Sequence, residues 1–136
     1  MAKLNVDLVT PERRLLSAPA DEVVAPAADG LYGVRPGHSP FLSILAPGPL
    51  TVREGSTTQA WFVAGGFVEV QNDAVLVLAD QAEPAASIDL EAASQALREA
   101  EQRLASLGPG DPKAAAESER LRRERARVAA ARAAGR

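Results

Sequence analysis

His38, the only histidine in the chain, lies in Gly37-His38-Ser39-Pro40. Imidazole changes charge near neutrality, so it can serve as a base, a ligand or a contact group. Ser39 or Ser43, together with His38 and Asp29, could imitate a Ser-His-Asp set. Such sets depend on geometry, which loop residues this close in sequence seldom supply, and no Gly-x-Ser-x-Gly elbow is present. There is no second His and no Cys to complete a metal site, so no metal is expected. Gly108-Pro109-Gly110-Asp111-Pro112-Lys113 is the one glycine-rich stretch beside a lysine. It lacks the spacing and hydroxyl of a phosphate loop, and its prolines remove the amides that would cradle an anion. None of these groups makes a persuasive catalytic centre, and no cofactor is expected.

The most strongly charged feature is a run of arginines at 120, 122, 123, 125, 127, 132 and 136. Glu117, Glu119 and Glu124 lie at helical spacings from them and could simply pair with them on a solvated face. Alternatively Arg120, Arg122, Arg123, Arg125 and Arg127 form a basic strip for an acidic partner. Nucleic acid is a poor candidate, because the whole chain carries −3 and aromatics make up only 4%. No apolar run approaches the ~20 residues that span a bilayer. The opening residues lack a secretory core or transit pattern. The expectation is a soluble chain kept in a reducing compartment.

Two stretches of different composition must position these groups. Residues 1–86 hold eight of the ten prolines and carry net −5, whereas residues 87–136 are rich in Ala, Arg, Glu and Leu and carry net +2. The first stretch reads as β. Leu4, Val6 and Leu8 alternate, and Arg14–Ser17, Asp21–Ala25, Leu31–Val34 and Pro49–Val52 are short strand candidates between turn residues. Ala60–Ala64 is an apolar strand ending at Gly65-Gly66, where the glycines suit a bulge or close packing. Phe67–Val70 and Ala74–Leu78 flank the turn Gln71-Asn72-Asp73 as the clearest hairpin. Many short strands of this kind predict an antiparallel sandwich or barrel.

The second stretch reads as a helical hairpin. Asp89 is an expected N-cap for a helix from Leu90 to about Leu107, with Leu90, Ala93, Leu97, Ala100, Leu104 and Leu107 on one stripe. A second helix is expected from about Lys113 to Ala134, with a thin stripe of Ala114, Leu121, Val128 and Ala131. Helices so rich in alanine bury little area, which predicts marginal docking. The residues alone therefore suggest a binding or regulatory module. A free enzyme using His38 and a scaffold with a coiled-coil arm are the alternatives.

The stretch Asp29-Gly30-Leu31-Tyr32-Gly33-Val34-Arg35-Pro36-Gly37-His38-Ser39-Pro40-Phe41-Leu42 resembles a signature of the epsilon subunits of F-type ATP synthases (delta in mitochondrial naming). So do Leu4-Asn5-Val6-Asp7-Leu8-Val9-Thr10-Pro11, Pro47-Gly48, Phe62 to Val70 and Val75 to Asp80, all in the right order. The resemblance implies a ten-stranded β-sandwich followed by two antiparallel helices. It implies a non-catalytic place on the central stalk, against the gamma subunit and the c-ring, on the cytoplasmic side of a bacterial inner membrane. The loop holding Asp29, Gly30, Leu31, Tyr32 and Arg35 would face the c-ring, and Thr10, His38 and Ser43 would lie towards gamma.

Many relatives carry an acidic residue where this chain has Leu31, so either Asp29 supplies the charge or the contact is more apolar here. A nucleotide motif of the family keeps Ile88 and Asp89 here, but its arginine is replaced by Ala92. A guanidinium is a strong donor to phosphate, and a methyl group is none, so nucleotide binding would be weak. Extended, the arginines of the second helix would meet the alpha and beta subunits and oppose ATP hydrolysis.

Overall fold

The computed structural model describes residues 2–134, and Arg136 lies outside them. β1 (Leu4–Val9) turns Leu4, Val6 and Leu8 inward, as alternation predicts. It lies antiparallel to β2 (Arg14–Ala20) and parallel to β8 (Ala74–Pro84). β3 (Glu22–Ala27) sits between β4 (Gly30–Val34) and β6 (Gly48–Glu54). β7 (Thr57–Gln71) joins β6 to β8 and also pairs with the short β5 (Phe41–Ile44). The order is β2-β1-β8-β7-β6-β3-β4, with β5 on β7 outside that path.

The described residues thus form eight strands rather than the ten expected. Ala60–Ala64 and Phe67–Val70 are not separate strands, because β7 runs on through Gly65-Gly66. These glycines take φ of +74° and +98°, which bends the strand without ending its pairing with β8. Before the bend β7 pairs with β6 and after it with β5. One continuous eight-stranded sheet results, in which β7 changes partner at the bend while keeping β8 on both sides of it. The turn between them places Asn72 and Asp73 at φ of 51° and 61°, the mirror-image hairpin geometry that suits Asn and Asp.

The interior holds Leu4, Val6, Leu8, Leu50, Val63, Val68, Val70, Val75 and Val77, all essentially inaccessible to solvent. A second cluster lies outside the sheet. Phe62 and Ala64 point away from the interior and are covered by Ala93, Val128, Ala130 and Ala131. That explains why Trp61, Phe62, Val63 and Ala64 are all buried: this part of β7 is covered on both faces.

The covering helices are α1 (Leu90–Ala105) and α2 (Ala114–Ala134), reached through a 3₁₀ turn at Ala85–Ser87. Asp89 caps α1 as expected, its Oδ1 accepting the Ala92 amide at 3.1 Å. α1 ends two residues before the expected limit and α2 begins one after it. The helix side of the contact is as alanine-rich as the sequence suggests. The sheet side adds the whole Phe62 ring and Glu83, the ion-pair partner of Arg127.

Candidate functional site

The signature stretch folds into the β3–β4 turn, β4, a loop over residues 35–40, and β5. Asp29 lies exposed in the turn, and Gly30 follows it with φ of 132°. Leu31 projects outward, 59% exposed, while Tyr32 turns in and meets Phe41 edge-on at 5.1 Å. Burial pushes the Tyr32 phenol above its ordinary value, with Ser43 opposing the shift. Arg35 donates to Glu22 at 3.2 Å.

The following loop is fastened rather than free. Gly37 takes φ of 89° and donates its amide to Asp73 Oδ1 at 2.8 Å, which ties the loop to the β7–β8 turn. The His38 amide donates to Arg35 O at 3.1 Å. The His38 ring meets Phe41 at 5.6 Å, and its Nδ1 donates to Ser39 O at 2.7 Å. Ser43 Oγ donates to Ile44 O at 3.3 Å. His38 and Ser43 thus spend these bonds on nearby backbone carbonyls and do not form a nucleophile–base pair with each other. Among the described residues no group of three or more His, Cys, Asp or Glu is placed to hold a metal. No described helix is long and apolar enough to cross a membrane.

The structure shows what this framework presents. On β5, Leu42 and Ile44 point outward, 67% and 78% exposed. Ile44 lies opposite Phe67, Phe67 opposite Leu78, and Leu78 opposite Val9. An apolar row therefore crosses four strands on the outer face of one layer, with Phe67, Leu78 and Val9 only partly covered. Thr10, the one buried polar side chain among the described residues, lies at the end of this row. It lines a hollow of about 310 Å³ with Phe67 and Leu78, and its Oγ1 donates to Arg13 O at 3.3 Å. The row is thus open at Ile44 and partly covered at Phe67, Leu78 and Val9.

Sequence reasoning singled out Thr10, His38 and Ser43 but missed Leu42, Ile44, Phe67, Leu78 and Val9, which form the surface. β5 itself was missed, because its four residues do not alternate. A signal existed in Val75-Leu76-Val77-Leu78, which is apolar at every position. A sheet with one solvated face should alternate there, so the surplus at 76 and 78 implies something else to cover.

The other sequence-predicted groups lie apart from this face. Ile88 is buried in the helix–sheet cluster, and Asp89 is spent on its cap. The helix distributes the five arginines over two faces. Arg120, Arg123 and Arg127 share one side by their spacing, and Arg122 and Arg125 another. Arg120 pairs with Glu117 at 3.8 Å and Arg122 with Glu119. Arg127 grips Glu83 of β8 through two of its nitrogens, and this contact raises its pKa above the usual value.

Comparison with known proteins bears on the family and the fold. Residues 3–85 match the family described as ATP synthase, Delta/Epsilon chain, beta-sandwich domain. An ATP synthase epsilon chain from Myxococcus xanthus is 53% identical over 131 residues, covering 96% of each chain. One from Anaeromyxobacter dehalogenans is 46% identical over 128 residues, 94% of this chain and 97% of that one. Among solved structures, a chain of the Euglena gracilis mitochondrial ATP synthase (OSCP/F1/c-ring, rotational state 1) superposes with a TM-score of 0.85 at 27% identity. The match covers 96% of this chain and 82% of that one. A chain of the Tetrahymena thermophila mitochondrial enzyme shares the fold, with a TM-score of 0.64. With the family match over most of the sandwich and curated relatives aligned almost end to end, the chain belongs to the delta/epsilon family of ATP synthase subunits.

Proposed function

We propose that this chain is a non-catalytic rotor subunit of the central stalk of a proton-translocating F-type ATP synthase, coupling the gamma subunit to the c-ring. The single observation that supports the reading is the apolar row Ile44–Phe67–Leu78–Val9, exposed at Ile44 and partly covered at the other three, in a chain whose family relatives align over nearly their whole length. A rotor component must transmit torque without slipping. It needs a broad apolar contact on a stiff support, and the paired strands β5, β7, β8 and β1 provide one.

In this reading residues 1–86 form the clamp. The apolar row, with Thr10, His38 and Ser43 around it, takes the gamma subunit. Asp29, Gly30, Leu31, Tyr32 and Arg35 take the polar loops of the c-ring, with exposed Leu31 giving that contact an apolar element. The complex sits at the cytoplasmic face of a bacterial inner membrane, and the chain touches the membrane only through it. No nucleic acid, metal or cofactor enters the reading.

The test is binding of the full chain to the gamma subunit. Ile44→Asp puts a carboxylate at the exposed end of the row and is expected to weaken binding about 100-fold, roughly 2.7 kcal/mol. The variant's melting temperature should stay close to the parent's, because the side chain is 78% exposed. Equal affinity for the two chains would remove the docking face from the proposal.

A regulatory role for residues 87–136 is the second part of the proposal. With α2 docked, Arg120, Arg122 and Arg127 are engaged within the chain. Ile88 and Asp89, the remnant of the nucleotide motif, are likewise committed to packing and capping. Arg127 is the one held against the sheet, so offering the whole strip to the alpha and beta subunits requires α2 to leave it. Glu83→Gln removes the partner of Arg127 and favours release by about 1 kcal/mol. The assembled complex carrying it should hydrolyse ATP several-fold more slowly. Unchanged hydrolysis would dismiss the regulatory part and leave the clamp intact.

A further inference from the structure

A cleft of about 760 Å³ opens between α2 and the chain around β5. One wall is the α2 face bearing Glu119, Arg122, Ala126 and Ala129, with Arg125 beside it, and the other includes Ala28, Ile44 and Pro47. Ile44 therefore belongs to two surfaces at once. It ends the apolar row of the sandwich and begins this cleft.

We infer that the cleft is a continuation of the gamma-docking face, filled by a gamma segment that carries an apolar side chain followed by a carboxylate. The inference rests on the docking reading above, and the observations favour one occupant. Anything seated on Ile44 reaches the mouth of the cleft, because the residue is 78% exposed and its side chain lines both surfaces. The walls are mostly alanine, proline and isoleucine, which suits an apolar group. At the rim Arg122 is already matched by Glu119, whereas Arg125 makes no ion pair among the described residues. An unmatched guanidinium beside an apolar slot selects a carboxylate over a neutral or basic group.

Docked α2 is then part of the gamma interface. Seating gamma and seating the helix on the sheet favour each other, and by linkage each strengthens the other by the same factor. Gamma binding is thereby made sensitive to the state of the hairpin, with no contact to the catalytic head required.

The test uses the full chain and purified gamma subunit, with Arg125→Glu and Ala129→Trp compared against the parent and against Ile44→Asp. Residues 125 and 129 are both exposed, so melting temperatures should hold. Arg125→Glu should weaken binding about tenfold, and Ala129→Trp, which fills the slot, by at least as much. If Ile44→Asp weakens binding while both cleft variants bind within twofold of the parent, the cleft is no part of the interface and the inference is overturned. If Ile44→Asp itself binds like the parent, the docking face has failed and the cleft inference falls with it. The chain contains no cysteine, so Ala129→Cys accepts a single photoreactive label. In the assembled complex that label should couple to gamma. Coupling only to alpha, beta or c subunits would overturn the inference.

Discussion

A Gly66→Ala chain is expected to lose about 3–5 kcal/mol of stability, a large part of what a domain this size commonly has. Two effects combine. The backbone holds φ of +98°, a conformation that disfavours any side chain. The added Cβ would also lie 1.8 Å from Leu78 O and 2.8 Å from its carbonyl carbon. Those are backbone atoms in a paired strand, so the β7–β8 ladder itself has to part. Gly55→Ala is the control. Gly55 also has positive φ, at +60°, but a Cβ there meets nothing within 4 Å. It should therefore show the turn strain alone, about 1 kcal/mol. Urea unfolding of the two variants measures the difference, and coincident midpoints would refute the role given to the bend.

The second large effect is expected at Phe62. The contact between sheet and helices is otherwise mostly alanine, with Ile88 and Val128, and Phe62 is its largest fully buried side chain. Truncating a buried Phe removes its transfer energy and leaves a cavity, together about 3–5 kcal/mol. The loss should fall unevenly, because the ring faces α2 and not the interior. Amide hydrogen exchange in α1 and α2 should quicken at least 100-fold in Phe62→Ala, while the central amides of β1 and β6 change less. Equal acceleration throughout would mean that the hairpin and the sandwich open as one unit.

These residues also show how much of the molecule could be read from the chain. Alternation in Leu4–Val9, the cap at Asp89 and the break at Gly108–Pro112 are local signals, and each found its element. Gly65-Gly66 misled the reading because a glycine pair inside an apolar run looks the same whether it ends a strand or bends one. The partners that decide the matter, Leu78 and Ala79, lie a dozen residues away. β5 has too few residues to show a period and is defined by its pairing with β7. The apolar row needed the registers of four strands before Ile44, Phe67, Leu78 and Val9 became neighbours. The arginines were plain in the sequence, but only the helix showed that they divide between two faces and that Arg127 belongs to Glu83.

Because β7 and β8 are each unbroken through the bend, a shear applied at the Asn72–Asp73 tip is carried along covalent backbone to the helix-covered end. In an ordinary sandwich the same stress would cross a seam of side-chain contacts, which creep. Here any such sliding would have to break the hydrogen bonds of the β7–β8 ladder, and the glycine pair is where that backbone bends most easily.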